Sequence, residues 1–588
     1  MTTGINVAIA ALPLLLAGVL LVGLLWPATR AMPIAWVTAM VVGYAAWNMP
    51  PNWLFAASGV GVMTAIEILW IVFGALVLLY TLMEAGAFDR INRGFTTVSD
   101  DRRVQIVLIA FFMATFIEGA AGFGTPAAVV APLLLGLGFP ALAAVVAGII
   151  GHIIAVTYGA VGTPIIVGIQ DPLGDVEFTR TAIEEGGMTV QEFSVEVAAW
   201  AATYHALVGF VMPLFAVGMV VYFFGDPDDR SLAPAWEVAP LCLLSGIAFA
   251  VPYWISAWFL TAEFPSLIGS MVGGAIMLSI LRAGYLLPDD EWDFPEREKW
   301  ADHWVGSIEP GQSNGNGQSA ESRGGVSPES EAADLSGGED MSLLKAWSPY
   351  ILLVILLVVT RAVDPVSTFI NQDVFIVTVN EMFGTSLGGA VAWMNVPGFW
   401  LLVSAVLAVP IFGMSGQEVG EAWKEAARKI VSPFIALVFV IAMVQVMLQS
   451  GAHPGNTPGD VSMIVLLAQT TADLLGPAYP AFASLIGALG AAMAGSNTVS
   501  NITFGAFQFE AATQLGLPRT IIVGAQAVGG AIGNLVAIHN LVAALATVGL
   551  LGQEGRVMRL NLIPLLYYAT GVGLLALLFS YVLFPAVF

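Results

Sequence analysis

Apolar runs about 20 residues long recur from one end of this chain to the other, at 5–26, 66–83, 195–224, 238–260, 267–282, 346–360, 431–448 and 563–583. A helix rising about 1.5 Å per residue needs roughly 20 apolar residues to cross the hydrocarbon of a bilayer. Within that slab every backbone amide and carbonyl must be paired inside the protein, which leaves helices or closed barrels. Runs of this length predict helices, and a window of that size gives roughly 12–14 of them. The expected fold is an all-α polytopic protein of the cell membrane. Composition agrees: 58% of the 588 residues are apolar and 10% charged, too little charge to cover a soluble protein of this size. The first run lacks a basic flank and a clear cleavage site and reads as a retained helix. Cys242 is the single cysteine, so neither an internal disulfide nor a cysteine-based metal site is available.

The net charge of −23 argues against nucleic acid as a partner. Segment 171–196 carries seven acids and one arginine, and 289–341 carries fourteen acids and three bases, so the two hold −17 of the −23. Arginines outnumber lysines 15 to 4. Acidic, solvent-facing segments with few lysines predict a protein that works in high salt, as in a halophilic archaeon, where screening weakens self-repulsion.

Residues 309–340 read EPGQSNGNGQSAESRGGVSPESEAADLSGGED. Such a Gly/Ser/Glu-rich stretch cannot bury enough apolar surface to fold. It makes 286–345 an expected acidic, disordered cytoplasmic linker between two membrane halves, 1–285 and 346–588. The halves resemble each other. "LGFP" at 137–140 matches "LGLP" at 515–518, an offset of 378 that also places Gly151 on Gly529 and 118–138 on 496–516. Charge then tests direction. Arg90, Arg93, Arg102 and Arg103 follow the helix at 70–87, whereas Lys424, Arg428 and Lys429 precede its counterpart at 434–452. Basic loops stay in the cytoplasm, so the copies cross in opposite directions. Inverted repeats are the signature of secondary transporters. The same count places the linker inside and 170–196 outside.

The stretch "FIEGAAGFGTP" (116–126) sets Glu118 among Gly119, Gly122, Gly124 and Pro126 directly after an apolar span. Too few uninterrupted residues lie between 116 and 138 for a full crossing, so a re-entrant helical hairpin is expected there, with another at 494–516. Unwound backbone at that depth is tolerated only where protein or a water-filled cavity surrounds it. Glycine lets backbone approach a ligand, and the free amides of a half-helix start favour an anion. A carboxylate within the membrane is costly and marks an ion or proton pathway, which makes Glu118 the first proton-coupling candidate and Glu67, in the preceding helix, the second. The counterpart "AGSNTVSNITFG" (494–505) has no acid and offers Ser496, Asn497, Thr498, Ser500 and Asn501, which can donate to a carboxylate or hydroxyl or lend oxygens to a small cation. Asn534, His539 and Asn540 follow in "GGAIGNLVAIHN". Taken alone, His152 and His539 each read as packing residues rather than ligands. Glu263 precedes a proline at a helix start, where its charge suits the dipole, and Arg282 and Arg361 lie at helix ends, from which they snorkel. With no nucleotide-binding loop, no metalloprotease motif and no nucleophile–base pair, the chain is not expected to be an enzyme or a pump, and transport must run on a gradient.

"FIEGAAGFGTP", "AVTYGAVGTP", "EFPSLIG", "AWSPY", "GSNTVSN" and "HNLVAALATVGLLGQEG" are similar to segments of the lactate permease family and occur in the expected order. The resemblance implies proton-coupled uptake of L-lactate, with D-lactate and glycolate as co-substrates, by two inverted repeats that each carry a re-entrant hairpin. Relatives of that kind bind sodium at Ser-Asn-Thr motifs, which "GSNT" (495–498) resembles, so Na⁺ coupling stays open. The combined expectation is a symporter of lactate or a similar small 2-hydroxy acid with a proton, working by alternating access. Glu118 and Glu67 would carry the proton. Gly119, Gly122, Phe123, Gly124 and Thr125 on one side, and Ser496, Asn497, Thr498, Ser500, Asn501 and His539 on the other, would hold the substrate. No cofactor and no resident metal are expected, and membrane lipid is the surrounding partner. The alternatives are a Na⁺-coupled carrier of another small organic acid and a passive organic-anion channel, which needs no proton site.

Overall fold

A computed structural model describes residues 2–24, 26–122, 124–311, 341–455 and 461–588. Among them, 11 helices are long and apolar enough to cross a membrane, or up to 12 if the bent pair Arg519–Val536 and Ile538–Thr547 is one span. The sequence count of roughly 12–14 meets this at its lower end. Three further helices, Thr125–Gly136, Ala141–Gly151 and Pro397–Phe412, are apolar but short. The first two have 12 and 11 residues, about 18 and 17 Å of rise against about 30 Å of hydrocarbon, so each stops at depth. Strands are confined, among the described residues, to one antiparallel pair, Val377–Val379 with Gly389–Val391.

Burial separates a centre from a rim. The Arg102–Ala120 span is wholly enclosed and Ile153–Asp175 nearly so, whereas Gly4–Gly23 and Leu343–Arg361 are mostly uncovered. The rim helices turn apolar side chains such as Leu15, Ile355, Leu574 and Val582 outward, as lipid requires.

The centre consists of two runs with the same order of elements. The first is Arg102–Ala120, a break after Ala120, Thr125–Gly136, a turn at Gly138, Ala141–Gly151, the 3₁₀ turn Ile153–Tyr158 and a helix continuing to Asp175. The second is Tyr479–Ala494, a break at Gly495, Asn497–Leu515, a turn at Gly516, Arg519–Gly533, the 3₁₀ turn Asn534–Val536 and Ile538–Thr547. Gly138 and Gly516 both have positive φ and stand 378 residues apart. Gly151 and Gly529 obey the same offset and do the same job. A Cβ on Gly151 would lie 1.9 Å from the Ala110 carbonyl, and one on Gly529 2.1 Å from the Ser484 carbonyl. In each run the helix after the turn thus packs backbone to backbone on the helix before the break.

Contacts locate the ends. Arg102 Nη1 donates to the Leu137 carbonyl at 2.6 Å, so the arms 102–120 and 125–136 form a hairpin with Gly122 and Gly124 at its tip. Residues 286–311 cover this end. Trp292, Phe294, Trp300 and Trp304 pack on the helices, Asp293 pairs with Arg102 at 2.8 Å, and the amides of Ser307 and Gly311 donate to Gly549 and Leu135. The ordered strap over 286–311 departs from the expectation of disorder across 286–345. Its aromatic residues supply the apolar area that the Gly/Ser-rich remainder lacks. Residues 312–340 lie outside the described residues. At the far end of the Arg519–Thr547 bent span, the Thr520 amide donates to Phe588 at 2.9 Å and the Arg519 guanidinium lies over the Phe588 ring.

Arg361 does not snorkel. Its Nε donates to Glu263 Oε1 at 2.9 Å, and Nη1 and Nη2 reach the side chain and backbone of Asn395 at 2.5 and 2.7 Å. Glu263 is buried and also accepts from Thr261, so the loop 260–264 of the first half is tied to a helix of the second. Arg282 donates to the Gly94 carbonyl.

Candidate functional site

The helix interruptions of the two runs meet around one cavity of about 40 Å³, room for roughly three waters. The hairpin tip supplies Gly122 and Gly124, and the last turn before it supplies Glu118. His152, Val156, Gly159 and Ala160 come from the second interruption of the first run. Gly495, Ser496, Asn497 and Thr498 come from the break of the second run, and Asn534 and Asn540 from its last one. Two helices start at the wall. Gly124, at φ 78°, precedes the first turn of Thr125–Gly136, and Ser496 caps Asn497–Leu515 through the Val499 amide. Pro126 has no amide hydrogen, and the Thr125 and Val499 amides already donate to the Gly122 carbonyl and to Ser496 Oγ, so the two starts offer the cavity only their remaining first-turn amides, together with their positive dipole ends.

Glu118 is buried, and among the described residues no hydrogen bond reaches its carboxyl group. Oε2 lies 4.0 Å from His152 Nε2. On the other side a Cβ at Gly159 would come within 2.3 Å of Oε1, so only glycine leaves the carboxyl group its place. Next to Gly159 the backbone is strained: Ala160 and Val161 have φ of 43° and 56°, a conformation that is a genuine outlier for a β-branched residue. Thr163 Oγ1 donates to the Ala160 carbonyl at 2.6 Å and helps to hold it.

A family model described as L-lactate permease matches residues 6–583. The chain belongs to the L-lactate permease family. It is therefore a multi-pass membrane transporter rather than an enzyme. The glycolate permease GlcA of Escherichia coli is 26% identical over 98% of this chain and 96% of its own. The L-lactate permease of Bacillus subtilis is 27% identical over 89% of this chain and 87% of its own. Among solved structures, the YdaH transporter of Alcanivorax borkumensis aligns over 93% of this chain and 88% of its own, at 14% identity and a TM-score of 0.32, too slight a likeness to argue from.

Within this L-lactate permease family member, the expected site residues divide into three groups. Glu118, Gly122, Gly124, Ser496, Asn497 and Thr498 stand on the cavity wall. Others support it from behind. Gly119 faces the Pro265–Arg282 helix, where a Cβ would come 2.9 Å from that of Ser266. Thr125 Oγ1 donates to the Gly122 carbonyl at 2.7 Å and closes the tip. Ser500 donates to the Gly487 carbonyl at 2.7 Å and accepts from Gln526. Asn501 donates to the Pro164 carbonyl at 2.9 Å, a bond between the two halves. His539 Nε2 lies 3.1 Å from the Gly495 carbonyl, outside the wall. Glu67 is half-buried in the Pro51–Glu84 helix and does not line the cavity. Phe123 lies outside the described residues.

The permease wall also holds His152, which the sequence read as a packing residue, and Gly159, Ala160, Asn534 and Asn540, to which it assigned no role. The signal for 159–160 was the run of breakers in "AVTYGAVGTP". Asn540 Nδ2 donates to Asn534 Oδ1 at 2.9 Å and to the Gly495 carbonyl at 3.3 Å, so these two amides orient each other. Asn497 differs. Both of its side-chain polar atoms are buried with no partner among the described residues.

Proposed function

We propose that this permease takes up L-lactate and related 2-hydroxymonocarboxylates by proton symport, through alternating access between two inverted repeats. The observation that carries the reading is the orphaned Asn497 amide on the wall of a cavity that also contains Glu118. A buried polar group without a partner costs about 1–3 kcal/mol, and a ligand with both an acceptor and a donor removes that cost. A 2-hydroxy acid has both: its carboxylate accepts from Nδ2 and its hydroxyl donates to Oδ1. The two helix starts favour the negative end of the same molecule. The small cavity and the names of the glycolate and L-lactate relatives fit the smallest members of this class.

Glu118 exchanges the proton. Without a proton, the site and an anionic substrate together would hold two negative charges in one low-dielectric space, and a proton held at the site leaves a net charge of one. In support of inversion, the turn at 137–140 lies under the strap, whereas its counterpart at 515–518 adjoins Arg519, at the end capped by Phe588. The strap would face the cytoplasm, next to the basic residues Arg90, Arg93, Arg102 and Arg103.

The test is uptake of labelled lactate by proteoliposomes with pH and Na⁺ gradients imposed separately. Accumulation driven by the pH gradient alone is expected, and Glu118→Gln should lose it while still exchanging labelled for unlabelled lactate at a reduced rate. Uptake driven only by Na⁺ would sink the proton assignment. Equilibration without accumulation would favour a channel, and no lactate flux under any gradient would sink the substrate.

A further inference from the structure

Glu118 and His152 are the only titratable side chains among the described residues of the cavity wall. They stand on opposite sides of the turn at Gly138, in helices packed in one run. His152 Nδ1 lies 2.6 Å from the Gly148 carbonyl, one helical turn back. A carbonyl oxygen only accepts, so Nδ1 keeps its hydrogen whether the ring is neutral or charged. That bond fixes the tautomer and leaves Nε2 as the atom that gains and loses a proton. Nε2 faces Glu118 Oε2 at 4.0 Å, and an approach of about 1 Å makes a hydrogen bond. The Gly159 backbone blocks the other side of the carboxyl group. Ionisable groups on neighbouring elements are engaged elsewhere. Tyr158 donates to the Ala198 carbonyl, His205 bonds Thr157 and Tyr568, His539 faces the Gly495 carbonyl, and Glu263 is held by Arg361. Asp171 and Asp175 lie at the far end of the Ile153–Asp175 span.

We infer that His152 is the second half of the proton site: the transported proton is held by a Glu118–His152 pair and passes to His152 Nε2 when the substrate carboxylate enters. The inference rests on the proton-symport reading. In that step the Glu118 O–H bond breaks and an Nε2–H bond forms. Glu118 becomes a carboxylate, His152 an imidazolium, and the pair stays neutral overall. The imidazolium then faces the substrate anion in a wall that has no other cation among its described residues. A pair that has lost its proton carries a net negative charge and repels the anion. Proton and substrate therefore enter together, and coupling follows from one charge balance.

The decisive measurement uses the wild-type full chain in lipid and needs no variant to fold. Infrared difference spectra on adding lactate are expected to show loss of a protonated-carboxyl C=O stretch and gain of imidazolium bands, with the carboxyl change absent from Glu118→Gln. A carboxyl band that persists in the lactate-bound protein overturns the transfer. Transport supplies the second arm. His152→Gln should lose pH-driven accumulation by roughly tenfold or more, its lactate KM should stop varying between about pH 5.5 and 8, and the double variant with Glu118→Gln should be no worse than either single one. A His152→Gln protein with wild-type accumulation and KM–pH profile overturns the role of His152 while leaving the symport reading intact. If Glu118→Gln also accumulates lactate, the symport reading itself has failed.

Discussion

Asn497 makes a prediction that separates binding from stability. Its amide is buried and has no partner among the described residues, so Asn497→Ala removes an unmet need rather than a native bond. The variant should melt at or slightly above the wild-type temperature. Its lactate KM should rise about 10–100-fold, the loss of one or two hydrogen bonds to a charged ligand. A thermal-shift assay in detergent and uptake kinetics check both halves, and a destabilised variant with unchanged KM would make Asn497 a structural residue. At this scale much of the site was legible. Glu118 was an acid among helix-breakers, and Gly122, Gly124 and the Ser496–Thr498 cluster reach the wall as their chemistry suggested. Depth along a helix was not legible. Asn501 shares a face with Asn497, one turn on, but that turn lies behind the cavity, where Asn501 bonds Pro164. Nor was His152, since a lone histidine in an apolar run has no spacing that betrays its partner. Only the turn at Gly138 brings Glu118 to it.

Among elements, the helix breaks were legible because glycine, proline and polar residues crowd them. The join between the halves was not. Arg361 at a helix end is compatible both with snorkelling and with pairing, and the choice is made by a loop about a hundred residues away in sequence. That loop also abuts the strained segment of the site, since a Cβ at Gly162 would lie 2.5 Å from the Ala262 carbonyl. Holding Ala160 and Val161 at positive φ costs on the order of 1–3 kcal/mol each, and the neighbouring structure must supply it. Glu263 and Arg361 are 4% and 18% exposed at their side chains, so the pair is poorly screened. Removing one partner of a buried pair costs about 3–5 kcal/mol, whereas replacing both with apolar residues is close to neutral. Arg361→Met should therefore lower the melting temperature strongly, and adding Glu263→Met should restore most of it. Equal melting of wild type, single and double variants would show that the pair contributes nothing to the join.

Across the whole molecule, charge is unevenly spread. The two acidic segments hold −17 of the −23, and their described acids Glu177, Glu184, Glu185 and Glu192, and Asp289, Asp290, Glu291 and Glu298 in the strap, are exposed. Salt acts on them in two opposing ways. It weakens the attractive pairs Arg102–Asp293, Arg297–Glu309 and Lys299–Asp226 that help to seat the strap, and it screens repulsion among the surplus acids. Each pair has at least one exposed partner and is worth about 0–1 kcal/mol, and the aromatic packing beneath them does not depend on charge. The acids outnumber the bases several-fold, so screening of repulsion should win. The Debye length falls from about 10 Å at 0.1 M to about 3 Å at 1 M, which shortens the reach of repulsion among exposed charges. The melting temperature of the lipid-reconstituted protein should therefore rise by roughly 5 °C or more between those concentrations, similarly in NaCl and KCl. Neutralising the strap by Asp289→Asn, Asp290→Asn, Glu291→Gln and Glu298→Gln should flatten that rise, because the charge being screened is gone. A melting temperature that is flat or falls with salt would remove the case for a high-salt protein and leave the acids as ordinary solvated loops.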